Sequence, residues 1–115
     1  MRDARECIVH ICTQSDWENA QSSCEYRAAS LETEGFIHCS RQEQVLTVAN
    51  RFYGNIPGLV LLWIDPQRVG VEIRWEPADG DVFPHVYGPI EVGAVEAVKN
   101  LDPDPDGVFR KLPTL

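Results

Sequence analysis

Residues 58–65, GLVLLWID, hold six apolar residues in a row, closed by Gly58 on one side and by Asp65-Pro66 on the other. A strand with one wet face alternates polar and apolar residues. A short run without alternation reads as a central strand, and Pro66 cannot continue its ladder. The rest of the fold has to be assembled around this segment. With 115 residues, 43% of them apolar, the chain is long enough to bury one core, and residues 1–115 read as a single domain without internal repeat or linker.

CIVHIC, residues 7–12, is short and β-branched, and predicts a second strand with His10 inside it. Ser15-Asp16-Trp17-Glu18 reads as a capping box opening a helix whose inner face carries Trp17, Ala20 and Cys24. A polar turn over Tyr26 to Ser30 leads through Gly35 into a short strand ending at Ser40. Ser40-Arg41-Gln42-Glu43 reads as another capping box. It opens a helix with Val45, Val48, Ala49 and Phe52 on one stripe and Gly54-Asn55 as its stop.

VEIRWEP, residues 71–77, alternates as a half-exposed strand does, and Asp79-Gly80 is a turn. VFPHVYGPIEV, with prolines on both sides of His85 and Tyr87, predicts an extended edge segment or ordered loop. AVEAVKNL reads as a strand, followed by the solvated acidic turn DPDPDG. Strands and two N-terminal-half helices that do not strictly alternate predict an α+β domain with a mixed or mostly antiparallel sheet.

Ten Lys and Arg against eighteen Asp and Glu give a net charge of −8. That field repels polyanions and argues against an extended nucleic-acid partner, while leaving room for a small local anion site. No run has the length of a membrane-spanning helix, and MRDARECIVH has no apolar stretch of the kind that directs export, so the expected location is the cytoplasm. Cys7, Cys12, Cys24 and Cys39 lack the close pairs of zinc knuckles and redox dithiols, and are expected to be free thiols.

Chemistry gathers in EGFIHCS, residues 34–40. On a strand His38 and Ser40 share one face, and Cys39 packs with Ile37 on the other. Cys39 is therefore a structural thiol rather than a nucleophile activated by its neighbour. The segment ends at a helix start, where free amides can face an anion. His10, His38 and His85 all fall on apolar strand-like segments. Taken singly each reads as a hydrogen-bonded core histidine; taken together they suggest a shared cleft, or a zinc-dependent hydrolase in which three imidazoles leave an open position for water. Trp75, Glu76, Phe83, His85 and Tyr87 cluster around one turn, as core packing or as a pocket.

IVHICTQSDWENA, SLETEGFIHCS, Gln44, LVLLWID, RWE and FPHVYGPI, in that order, resemble the uncharacterised bacterial family called domain of unknown function 952, over about residues 7–110. The resemblance implies a fold similar to that of ADP-ribosyltransferases, a split sheet with a cleft that takes NAD. It also implies a distant similarity to RNA 2'-phosphotransferases, with His10, His38-x-Ser40 and Ile64-Asp65 at corresponding places. Val9 stands where those enzymes carry an arginine, which argues against an RNA phosphate as substrate. By resemblance, His10, Ser40, His85 and Tyr87 bind an NAD or nucleotide ligand, and His38 and Glu76 serve ADP-ribosyl or glycosyl transfer, with Glu91 as the other candidate carboxylate. A carboxylate near the ribose helps that chemistry by stabilising an oxocarbenium-like state. The rival to catalysis is a binding module that keeps the cleft without turnover.

Overall fold

The computed structural model describes residues 7–114; residues 1–6, which carry part of the reading that no export segment is present, lie outside them. The elements in order are β1 (Ile8–Thr13), α1 (Gln14–Ser23), β2 (Glu25–Tyr26), α2 (Ala29–Thr33), β3 (Ile37–His38), α3 (Val45–Phe52), β4 (Leu59–Ile64), β5 (Ile73–Ala78), β6 (Asp81–Val86), β7 (Ile90–Glu91) and β8 (Val95–Leu101). Together they make one α+β domain, and every strand pairing among the described residues is antiparallel.

The expected central strand, β4, lies between β1 and β8. All six of its residues are buried because both its faces are covered. Leu59, Leu61 and Trp63 pack with Val9 and Ile11 of β1, Val45 and Ala49 of α3, and Phe109 of the C-terminal tail. Val60, Leu62 and Ile64 face the other way, toward Trp17 and Ala20 of α1 and toward Ile37 and Val86 of the second sheet. Asn50 clamps the tail onto α3: its Nδ2 donates to the Phe109 carbonyl at 2.9 Å, and the Phe109 N–H donates to its Oδ1 at 2.7 Å.

The second sheet has the order β3-β6-β5, and a two-stranded ribbon pairs β2 with β7. β6 is the middle strand, not the edge segment or loop that its prolines suggest. Pro84 is tolerated because its missing N–H falls on the β3 side, where β3 has already ended and the Cys39 N–H donates to the Pro84 carbonyl at 3.2 Å. Asp79-Gly80 closes the β5–β6 hairpin with both residues at positive φ, the left-handed pair that a two-residue hairpin turn requires. The two three-stranded sheets meet at one isolated bridge. The Val9 N–H donates to the Ser40 carbonyl at 2.9 Å, and the Ser40 N–H returns the bond to Val9 at 2.8 Å. Beyond it β1 and β3 do not pair, so the β-structure splits.

Several local expectations are corrected. The first helix is capped by Thr13, whose hydroxyl accepts from the Asp16 N–H at 3.1 Å, two residues before the expected cap at Ser15. Cys24 is not on its inner face; it is an exposed C-cap in the left-handed region. Tyr26 is a buried strand residue rather than part of a polar turn, and a third, short helix, α2, follows it. Ser40 does not cap the next helix, because its backbone is occupied in the bridge to β1. The cap is made one residue on, where the Arg41 N–H donates to Gln44 Oε1 at 2.8 Å at the start of the single 3-10 turn Gln42–Gln44 that precedes α3. Phe52, on the predicted apolar stripe of α3, is 57% exposed.

Candidate functional site

A cleft of about 970 Å³ opens where the sheets part. One wall is β1 with α1 and Tyr26 behind it. The other is formed by residues 38–40, by α3 with the 3-10 turn before it, and by the tip of the β5–β6 hairpin. His10, His38, Ser40 and His85 all line it.

His10 shares a face of β1 with Ile8 and Cys12, so it points into the apolar space between the sheets, where an unpaired imidazole would be costly. Both ring nitrogens are satisfied. Nδ1 lies 2.5 Å from the His38 carbonyl, which can only accept, so Nδ1 carries the proton. Nε2 is then the acceptor for the Tyr26 hydroxyl at 2.8 Å. Burial pushes the imidazole down to about 4, against the partial compensation of the His38 carbonyl.

His38 and His85 stand opposite each other in the β3–β6 register, with ring centroids 5.4 Å apart. The expected alternation holds here: Ile37 and Cys39 are buried in the core and His38 is exposed. His38 Nε2 donates to Glu34 Oε2 at 2.9 Å. His85 is buried, with Phe36 stacked on it at 4.1 Å between centroids and 19° between planes. Its Nδ1 donates to Glu76 Oε1 at 2.9 Å, and the Tyr87 hydroxyl donates to the same oxygen at 2.5 Å. The Arg74 guanidinium lies over the Tyr87 ring at 4.3 Å from its centroid. The bonds from Tyr87 and His85 hold the Glu76 carboxyl below the usual carboxylate range, and the same contact raises the Tyr87 hydroxyl. His85 Nε2 has no hydrogen-bond partner among the described residues and is left to the cleft. The same holds for the hydroxyl of Ser40, a buried residue whose hydrogen bonds among the described residues are made by its backbone.

Of the residues singled out from the sequence, His10, His38, Ser40 and His85 come together at the cleft. Glu76 and Tyr87 stand behind His85 on the same sheet face and do not line it. Glu91 lies on β7 opposite Glu25, away from the cleft. No group of three or more His, Cys, Asp or Glu among the described residues is arranged to hold a metal ion, and His10 has both nitrogens committed inside the protein. No disulfide joins the cysteines among the described residues, and the Cys7 thiol donates to Glu96 Oε2 at 3.3 Å. Burial pushes the Cys12 thiol up to about 12 and raises that of Cys39 further, so neither is a nucleophile at neutral pH.

Sequence reasoning missed Phe36, Tyr26 and Glu34. Glu34 lies four residues before His38, but that spacing signals a pair only on a helix, and a turn at Gly35 intervenes. Gln44 was seen only through the resemblance. It is buried, and its Nε2 donates to Asp81 Oδ2 and to the Val82 carbonyl, both at 2.9 Å, tying the hairpin to the start of α3.

The fold is shared with solved structures. The X-ray structure of protein CC0527 from Caulobacter crescentus is 32% identical, with a TM-score of 0.82 over 90% of this chain and 93% of that one. The solution NMR structure of the same protein gives 0.78 over 91% and 92%. A search of the curated proteins finds no match to the chain. Residues 11–98 match the family model described as Protein of unknown function (DUF952), and the chain belongs to that family.

Proposed function

We propose that the cleft binds NAD or a nucleotide fragment of it, and that the reaction it serves is ADP-ribosyl or glycosyl transfer. The observation that carries this reading is the split itself: a nucleotide-sized cleft in which the Ser40 hydroxyl and His85 Nε2 are among the polar atoms offered to a ligand, beside exposed His38. Ser40 is the donor for a ribose hydroxyl. His10 supports the wall by fixing the His38 carbonyl and Tyr26; for it to touch a ribose directly, the ribose must replace the Tyr26 hydroxyl. A glycosidic bond of this type breaks through an oxocarbenium-like state, which nearby negative charge stabilises. Glu76 is assigned that task through His85, whose ring it orients, since it does not itself line the cleft.

A second reading is a module that binds the same ligand without turnover. It is favoured by the placement of Glu76, whose Oε1 is already taken by Tyr87 and His85 and which does not line the cleft. Calorimetric titration with NAD, ADP-ribose and nicotinamide riboside, paired with an assay for released nicotinamide, separates the two. Binding with release supports transfer, and binding without release supports the module. A folded protein that binds none of the three rejects both.

A further inference from the structure

The charges around the cleft are not those of a phosphate site. Carboxylates of Asp16, Glu34, Glu43, Asp79 and Asp81 line it. Among the described residues two guanidinium groups answer them, Arg41 and Arg51, and neither is free. Arg41 is held by Glu43 at 2.7 Å and by Asp81 at 3.4 Å, and Arg51 by Asp79 at 3.2 Å. Asp16 has no ion-pair partner among the described residues, and Glu34 has only His38. A ligand that brought two phosphates would enter an excess of negative charge and would have to displace existing ion pairs to find a cation. Aromatic rings of Tyr26, Tyr53 and Phe83 also line the space, and suit a flat or cationic group.

Acidic residues alone do not make a site. Here they surround two cleft-lining residues that are each only 6% exposed, Ser40 and His85, whose hydroxyl and Nε2 make no hydrogen bond among the described residues. Polar atoms that reach the cleft without a protein partner are left to water or to a ligand. Ser40 can donate or accept, so the pair suits uncharged polar atoms such as ribose hydroxyls or a carboxamide.

We infer that the cleft selects an aromatic cation, namely the pyridinium end of NAD presented as a phosphate-free base or nucleoside, over the phosphate-bearing end. The inference rests on the NAD reading above and narrows it to one half of the molecule. Its test is a calorimetric titration with three probes: the N-methylnicotinamide cation, neutral nicotinamide and ADP-ribose. The cation is expected to bind about tenfold more tightly than the neutral ring, and the preference should shrink as salt rises. Asp16→Asn should reduce the preference several-fold. Asp16 is exposed on the first turn of α1, so the fold should survive, as checked by circular dichroism, and Glu34→Gln provides a second variant. Equal binding of cation and neutral ring overturns the inference. So does tighter binding of ADP-ribose, although that result leaves the NAD reading standing. Failure of all three probes to bind the folded protein removes both.

Discussion

The two three-stranded sheets are alike in size and pairing and opposite in use. The first, β1-β4-β8, has its middle strand covered on both faces, so that β4 has no exposed residue. The second, β3-β6-β5, is covered on one face by the core; on the other it carries Glu76, His38, His85 and, just past the end of β6, Tyr87. A strand with two covered faces leaves little room for polar groups, and the indole N–H of Trp63 on β4 is buried there without a partner among the described residues. A sheet with one open face can hold histidines and carboxylates near water while the opposite face anchors them. His10 marks the boundary between the two regimes: it sits on the covered sheet and is tolerated because both its nitrogens are bonded.

The comparison breaks first at β4. Leu61→Ala should cost about 2–5 kcal/mol, since the fully buried side chain leaves a cavity between β1 and α3. Trp75→Ala on the second sheet should cost much less than a buried tryptophan does, because Trp75 is 52% exposed. Denaturant unfolding of both variants checks this, and comparable losses would mean that the second sheet is as much a core element as the first.

His10 sharpens the boundary through pH. Its folded-state value of about 4 lies below the ordinary 6.5, so between these values the unfolded chain binds a proton that the folded chain does not. Stability is therefore flat above pH 6.5 on this account, falls as pH drops toward 4 by roughly 3 kcal/mol, and levels off below that. Unfolding curves across that window, compared with a non-titrating His10→Asn variant, isolate the term. An unchanged slope in the variant would show that His10 is not its source.

A smaller loss is expected for Gln44→Ala. It leaves the Arg41 N–H without its acceptor, removes the Nε2 bonds to Asp81 and to the Val82 carbonyl, and loosens the hairpin tip, at about 1–3 kcal/mol. Proteolysis near Asp79-Gly80 should quicken in parallel. Smallest is Ser40→Ala. Because the hydroxyl caps nothing, stability should stay within about 0.5 kcal/mol, in contrast to the ~1 kcal/mol of a true helix cap. A loss near the cap value would return Ser40 to a structural role. Little loss of stability with weakened ligand binding would place it in the site.

Much of the strand content was legible along the chain. The run at residues 59–64, the β-branched segment before α1, the Asp79-Gly80 turn and the preference for a strand at residues 95–101 all rest on local rules of alternation and turn geometry, and they hold. The caps were less legible. Thr13, Ser15, Ser40 and Arg41 are all placed near a helix start, and which of them caps depends on where β1 and the Val9–Ser40 bridge release the backbone. β6 was misjudged for the same reason, since Pro84 forbids a central strand only where a neighbour needs its N–H, and β3 is too short to need it.

By itself the sequence determined the alternation that faces His38 away from Ile37 and Cys39, the apolar centre at β4, and the excess of carboxylates. Each follows from side-chain period or from composition, which need no partner strand to act. Only the tertiary structure decided that β1 and β3 join at one bridge and then part. That contact lies 31 residues apart in the chain and leaves no local signal. From it come the cleft, the burial that turns His10 into a link between His38 and Tyr26, and the stacking of Phe36 on His85 that sets one ring nitrogen toward Glu76 and leaves the other open.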